Sequence, residues 1–106
     1  MTTAINTLGK LRQLESLYRH GYRSEVVDGA LEKIVSLERA QALQEFSTIE
    51  ASLKTFEDAY KMSSCDFHRR FHAGELGDEA DFFEWSALYG MAESLRQRLQ
   101  TLGDPA

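Results

Sequence analysis

The chain has 106 residues and a net charge of −5, and 27% of its residues are charged. This length allows one domain with a modest core, and no apolar run approaches the roughly 18 residues that a membrane-spanning helix needs. Residues 1–6 lack the basic start and apolar body of a signal peptide. The only cysteine, Cys65, excludes an internal disulfide. We therefore expect a protein of the reducing cytoplasm.

Charge is divided unevenly along the chain. Residues 1–40 carry six basic and five acidic side chains, whereas residues 41–106 carry six basic and twelve acidic ones. This balance opposes a large nucleic-acid surface and leaves the first forty residues as the only place for one.

The first predicted helix covers residues 4–20, because apolar side chains recur along one side of it: Ile5, Leu8, Leu11, Leu14, Leu17 and Tyr18. Gly21 stands where the end of a helix favours a residue with positive φ. Ser24 is a typical N-cap for the next helix, and Glu25 suits the positive end of its dipole.

The second predicted helix runs from Glu25 to about Lys61 without a proline. Such a helix is roughly 55 Å long, so it needs a partner along its length. Its first part carries apolar residues that we expect to pack on the first helix: Val27, Ala30, Leu31, Ile34 and Leu37. A second stripe follows at alternating steps of four and three: Val35, Arg39, Ala42, Phe46, Ile49, Leu53, Phe56 and Tyr60.

A matching stripe near the C-terminus contains Trp85, Leu88, Ala92, Leu95, Leu99 and Leu102, and we expect it to lie antiparallel to Ala42–Tyr60. Between the stripes, Ser63 and Asp66 resemble a capping box that opens a short helix of about 64–72. Gly74 can close that helix. Asp78 is expected to cap the last helix, with Glu79 and Asp81 in its first turn.

The predicted fold class is therefore all-α, a helical hairpin or bundle built on one long central helix (about 25–61) with an antiparallel C-terminal helix. Two parts form one continuous domain, a helix-turn-helix unit at 1–37 and a hairpin with an acidic turn at 38–106. Apolar flanks at Phe82, Phe83, Tyr89 and Met91 predict a homodimer. The residues expected in the core or dimer seam are Phe46, Ile49, Leu53, Phe56, Tyr60, Trp85, Leu88, Leu95 and Leu99.

Cys65, His68 and His72 are the only candidate metal ligands of interest, because two histidines four residues apart share a helix face. Surface histidines are the more usual explanation of this pattern, and the glutamate of the zinc-protease signature is absent. The sequence has neither a serine–histidine–acid set nor a phosphate-binding glycine loop. We expect no metal, no cofactor and no enzymatic activity.

An acidic and aromatic block is the main candidate for binding, since residues 73–95 contain six acidic side chains and no basic one. Acids favour the start of a helix, and Arg69 and Arg70 can pair with some of them. The block also suits a basic protein partner, because aromatic side chains supply contact area and carboxylates steer association. Both interpretations can hold together. The candidate partner-binding residues are Glu75, Asp78, Glu79, Asp81, Phe82, Phe83, Glu84 and Tyr89.

Residues 14–31 resemble the two helices of ribbon-helix-helix repressors and antitoxins, in which Ser-Glu-Val-Val, here residues 24–27, is followed by Ala-Leu, here residues 30–31. The resemblance implies that Arg23, Ser24 and Glu25 contact a DNA phosphate. In that family a strand before the first helix reads the bases and pairs across a dimer. Only a few residues precede the helix here, and none of the first nine is basic, which opposes base readout by Thr3, Ile5 or Thr7.

The rest of the chain is similar to a family of small bacterial antitoxin-like proteins, the partners of small toxin-like proteins. The similarity is carried by Phe-Glu-Asp-Ala-Tyr-Lys-Met-Ser-Ser-Cys-Asp-Phe at 56–67, Gly-Glu-Leu-Gly-Asp at 74–78 and Asp-Phe-Phe-Glu-Trp at 81–85, and it extends from about residue 10 to 102. The similarity implies an antitoxin-like role for this chain and assigns no functional residue.

Three functions follow as hypotheses. The first is an antitoxin that neutralises a partner toxin through region 74–89, with carboxylates facing the basic substrate site of an RNA-acting toxin. The second is a DNA-binding autoregulator of its own operon, acting through residues 1–35. The third is a non-catalytic coiled-coil adaptor.

Overall fold

A computed structural model of the protein describes residues 2–103, with side chains from residue 6 onward. Its four α-helices are α1 (Thr2–Arg19), α2 (Glu25–Tyr60), α3 (Ser64–His72) and α4 (Ala80–Thr101). None of residues 2–103 lies in a strand, so the predicted all-α class is confirmed. Within the same range, no helix is long and apolar enough to cross a membrane.

Local sequence signals set the junction between α1 and α2. Gly21 takes a φ of 96°, and the Tyr22 N–H donates to the Leu17 carbonyl at 3.0 Å, which ends α1 as expected. The Ser24 Oγ accepts a hydrogen bond from the Val27 N–H at 3.3 Å. Ser24 therefore caps α2, as the sequence predicts.

The ends of α3 also follow their predicted signals. The Ser63 Oγ accepts from the Asp66 N–H at 3.0 Å, and the Ser64 N–H donates to the Glu57 carboxylate at 2.9 Å. After the helix, Gly74 takes a φ of 76°. These contacts satisfy backbone groups that a short helix would otherwise leave unpaired.

The predicted cap of α4 is wrong. Glu79 occupies the N-cap position and makes no side-chain capping bond. Its carbonyl accepts from the Phe82 N–H at 3.0 Å. Asp78 precedes the cap by one residue, where a carboxylate does not take the capping role, because capping bonds run from the N-cap side chain to the second or third helical amide.

The chain divides into two units, one ending at Ile34 and the other beginning at Val35. In the first unit, α1 and the start of α2 meet around a hollow of about 240 Å³. None of its described side chains is buried. Ala30 and Ile34, which the apolar pattern assigns to the contact with α1, are exposed. The side chains of Thr3 and Ile5 lie outside the described set.

The second unit has an aromatic core. Trp85 and Phe67 have no exposed surface, and their rings stack with centroids 4.0 Å apart. The Trp85 Nε1–H donates to the buried Ser64 hydroxyl at 2.9 Å. Because α3 supplies Phe67 and Ser64 while α4 supplies Trp85, the short helix is held against α4 by one apolar and one polar contact.

The later part of α2 contacts α4 at several levels. Near one end, the Arg39 guanidinium donates to the Leu102 carbonyl. Further along α2, Phe56 stacks on Trp85 at 5.5 Å. The structure places five residues of the predicted seam in the buried core, Ile49, Leu53, Trp85, Leu95 and Leu99, and packs four more against it, Phe46, Phe56, Tyr60 and Leu88.

Phe82 is a core residue of the second unit, so its predicted place on an exposed flank is wrong. It was expected on an exposed flank, but it is only 8% exposed and its ring lies 5.2 Å from Tyr60 and 5.7 Å from Phe67. The physical reason is its position three residues before Trp85, which places it on the core face of α4. Phe82 belongs to the core and is not an available contact residue.

Candidate docking surface on α4

The acidic residues around the start of α4 are all exposed, but two of them have partners. Glu75 pairs with the Arg70 Nε at 3.5 Å. Asp81 accepts a hydrogen bond from the Tyr60 hydroxyl at 2.7 Å, and this bond is the main reason that the pKa of Tyr60 is raised to about 12. These two carboxylates therefore serve contacts within the protein.

Asp78, Glu79 and Glu84 differ from those two. Their carboxylates form neither an ion pair nor a hydrogen bond with any described residue. Since Glu79 and Glu84 flank the first turn of α4 and Asp78 immediately precedes it, three unpaired negative charges lie within seven residues. They give this end of α4 an attractive potential for a cation.

Phe83 is the exposed aromatic residue beside these charges. Its side chain is 57% exposed, and its ring lies 5.5 Å from Phe71 at an interplanar angle of 86°. Tyr89, the other predicted aromatic contact, is half-buried and stacks on His68 at 4.4 Å; burial is the main cause that raises the pKa of its phenol. Phe83 is thus the aromatic side chain best placed to touch a partner.

A groove of about 740 Å³ lies between α2 and α4. The sequence analysis does not predict this groove, although the small residues Ala87, Gly90 and Ser94, at steps of three and four, could have indicated it. Ile49 and Leu95 are its buried residues. The full lining consists of Gln44, Glu45, Thr48, Ile49, Ala87, Gly90, Met91, Ser94, Leu95 and Arg98.

The candidate metal ligands do not form a site. His68 and His72 have ring centroids 4.3 Å apart, and Cys65 is exposed. The buried Nδ1 of His68 has no hydrogen-bond partner. Within residues 2–103, no three histidine, cysteine, aspartate or glutamate side chains are grouped so that they could hold a metal ion.

Of the predicted phosphate-contact residues, Arg23 and Ser24 lie in the turn before α2, and Glu25 is the first residue of that helix. The Arg23 guanidinium donates to the Tyr22 carbonyl at 3.0 Å and lies 5.1 Å from the centre of the Tyr18 ring. The Ser24 N–H donates to the Tyr18 hydroxyl at 3.2 Å, while Glu25 is exposed. Residues 2–19 are helical, so the described chain holds no strand before α1 that could read bases.

No protein-family model matches the chain, and neither a curated protein nor a solved structure matches it.

Proposed function

We propose that the protein is a cytoplasmic antitoxin that binds a toxin protein through the acidic, aromatic region 74–89. The observation that carries this proposal is the group of three unpaired carboxylates, Asp78, Glu79 and Glu84, beside the exposed ring of Phe83. Charged groups that lack a partner in the free protein can gain one on binding. An exposed aromatic ring supplies contact area at a low cost in side-chain entropy.

Neutralisation would be electrostatic and steric. A toxin that acts on RNA needs a basic substrate site, because phosphate contacts dominate nucleic-acid affinity. Carboxylates at the start of α4 would occupy that site in place of phosphates. The aromatic core behind α4 holds the helix in place, so that little conformational entropy is lost when the partner binds.

The protein would act as a homodimer in which α2 and α4 form an antiparallel hairpin in each copy. The expected dimer seam packs within one chain, so we assign the contact between copies to the first unit. Its α1 carries three basic and one acidic side chain, and residues 25–34 carry three acidic and one basic. These opposite charges of +2 and −2 suit a two-fold contact in which α1 of each copy lies beside α2 of the other.

The test replaces the unpaired carboxylates together, as Asp78→Asn, Glu79→Gln and Glu84→Gln, and measures binding to an inactive form of the neighbouring gene's product. We expect about a ten- to hundredfold loss of affinity at low salt, because each lost surface pair contributes up to about 1 kcal/mol. The loss should shrink as salt is added. Cells that express the active toxin should no longer be rescued by this variant.

A charge control replaces Glu38 and Glu50, which are exposed and have no ion-pair partner in the described chain, with glutamine. It changes the net charge by +2, against +3 for the α4 variant, and should bind as the wild type does. Unchanged binding by the α4 variant would overturn the proposal. A harmless neighbouring product, with an unrelated partner recovered instead, would favour the adaptor hypothesis.

A second candidate function is autoregulatory DNA binding through residues 1–35. The observation that favours it is the exposed Arg23 guanidinium, which lies beside the start of α2. A band-shift titration with the protein's own promoter, alone and with toxin, tests it over several salt concentrations. Binding should weaken steeply with salt and with Arg23→Ala. Absence of any salt-sensitive shift would exclude this function.

A further inference from the structure

One face of α4 continues from the acidic region into the groove. Phe83, Ala87, Gly90 and Ser94 recur at steps of four, three and four, and Met91 lies four residues after Ala87. This spacing places all five along a single side of the helix. Met91 is 51% exposed, much like Phe83. The unpaired carboxylates therefore stand at one end of a longer apolar surface.

Nothing in the described part of the chain requires a glycine at position 90, in the middle of α4. Its φ is not positive, and a Cβ built there would meet no heavy atom of the described structure within 4 Å. Glycine in the middle of a helix is destabilising relative to alanine. A missing side chain at this position keeps the groove open and lets another backbone approach α4 closely.

The polar groups along the groove are mostly satisfied. The Thr48 hydroxyl donates to the Gln44 carbonyl at 3.1 Å. Arg98 and Glu45 face each other across the groove at 3.5 Å. With buried Ile49 and Leu95 between these walls, the groove suits the apolar side of a helix better than a polar ligand.

We infer that the groove between α2 and α4 receives an amphipathic helix of the toxin, whose basic end lies against Asp78, Glu79 and Glu84. This inference rests on the proposed function and adds the shape of the partner. From Phe83 to Arg98 the surface covers sixteen residues of α4, and the fifteen steps between them span about 22 Å at 1.5 Å per residue. The partner helix therefore has about four turns.

The charges favour a helix of the toxin, and not a second copy of this chain, as the occupant of the groove. A second copy carries a net charge of −5, and its α1, the helix with a charge of +2, is already assigned to the two-fold contact with α2. A helix with basic residues at one end compensates the three unpaired carboxylates, and its apolar side covers Met91.

The test compares Gly90→Leu with Gly90→Ala in calorimetric titrations against the inactive product of the neighbouring gene. The leucine side chain enters the groove from a position where a Cβ meets no described heavy atom within 4 Å, so we expect at least tenfold weaker binding with no decrease in Tm. The alanine variant gains the same helix propensity but adds only a methyl group, and it should bind within about threefold of wild type. Met91→Glu should also weaken binding, whereas Gln100→Leu, exposed on another face of α4, should not.

Each outcome distinguishes the two proposals. Wild-type affinity of Gly90→Leu, together with weak binding by the carboxylate variant, would overturn the helix-in-groove inference and leave the antitoxin proposal intact. Absence of binding by the wild-type protein would overturn both. A change in the mass of Gly90→Leu by light scattering, without toxin present, would mean that the groove holds a second copy, and it would also overturn the inference.

Discussion

The two units of the protein bury very different amounts of their side chains. From Val35 onward, helices of three different lengths enclose an aromatic core in which Trp85 and Phe67 have no exposed surface. Before that residue, two helical segments of similar amphipathic pattern leave Leu8, Leu11 and Leu17 about half exposed. A two-helix unit of this size cannot surround its own apolar residues, since units below about 40 residues usually need a disulfide, a metal or a partner chain.

This difference affects where each unit can bind a partner. The second unit buries Trp85 and Phe67, and its exposed apolar side chains include Leu37 and Leu43 on α2 as well as Phe83 and Met91 on α4. A partner that binds α4 therefore finds a preformed site. The first unit still has apolar surface to bury, and its association would be coupled to its own stabilisation. Three predictions follow this contrast, beginning with the core.

Trp85→Ala should produce the largest loss of stability. It removes the stacked partner of Phe67 and leaves the Ser64 hydroxyl without its buried donor. We expect the free energy of unfolding to fall by about 3–5 kcal/mol, as for other large aromatic residues removed from a core. Urea denaturation monitored by circular dichroism measures the change.

Phe83→Ala is the matched control for that loss, because Phe83 is an aromatic residue of the same helix but is 57% exposed. Its effect on stability should stay within about 0.5 kcal/mol, while its effect on toxin binding should be clear. Equal destabilisation by the two variants would contradict the assignment of Trp85 to the core and Phe83 to the surface.

The sequence predicted the parts of the fold that depend on neighbouring residues. Ser24 and Ser63 cap helices, and Gly21 and Gly74 end them, because each acts within four residues of its own position. Phe67 was not identified as core, since nine residues of α3 are too few for a periodic pattern and its burial depends on α4. Phe82 was misplaced because the stripe on α4 was begun one turn too late.

The candidate site was predicted less completely than the fold. The acidic and aromatic composition of residues 74–89 is visible in the sequence, but their division into engaged and unpaired groups is not. Asp81 and Glu75 have partners in Tyr60 and Arg70, one of them 21 residues away. The groove also depends on two helices that are distant in sequence, so only the small residues of α4 could have indicated it.

Tyr18→Phe should produce a moderate effect confined to the first unit. The Tyr18 hydroxyl bridges α1 to the start of α2, with Asp28 at 2.6 Å and the Ser24 carbonyl at 2.9 Å. Its single proton can serve only one of these acceptors at a time, and the bond to Asp28 is the leading cause that raises the pKa of this phenol. Loss of the hydroxyl should therefore cost the first unit part of its stability.

Native-state hydrogen exchange at the amides of residues 24–31 measures that cost, because it reports local opening of the first unit. Tyr22→Phe is the control, since the Tyr22 hydroxyl has no partner in the described chain and its side chain is 51% exposed. Equal acceleration of exchange in the second unit would contradict the prediction that the effect of Tyr18→Phe is confined to the first unit.

The smallest predicted effect is a loss of stability at alkaline pH that depends on Tyr60. The Tyr60 hydroxyl donates to Asp81, and this bond, followed by burial and the charges of Asp81 and Glu79, raises its pKa from 10.0 to about 12. The raised pKa means that the folded state holds this proton more tightly than the unfolded state does. Its stabilising contribution is therefore complete below about pH 10 and is lost as the pH rises toward 12.

Tyr60→Phe and Asp81→Asn separate this contribution from general alkaline unfolding. In urea denaturation between pH 9 and about 12, the wild-type protein should lose stability more steeply than Tyr60→Phe, because only the wild type releases this proton on unfolding. In Asp81→Asn, the phenolate absorbance of Tyr60, taken as the difference from a variant that also lacks Tyr60, should appear at lower pH. Parallel stability curves for wild type and Tyr60→Phe would show that Asp81 does not hold the proton. Asp81 would then be a fourth unpaired carboxylate at the start of α4, and its replacement should weaken toxin binding together with Asp78, Glu79 and Glu84.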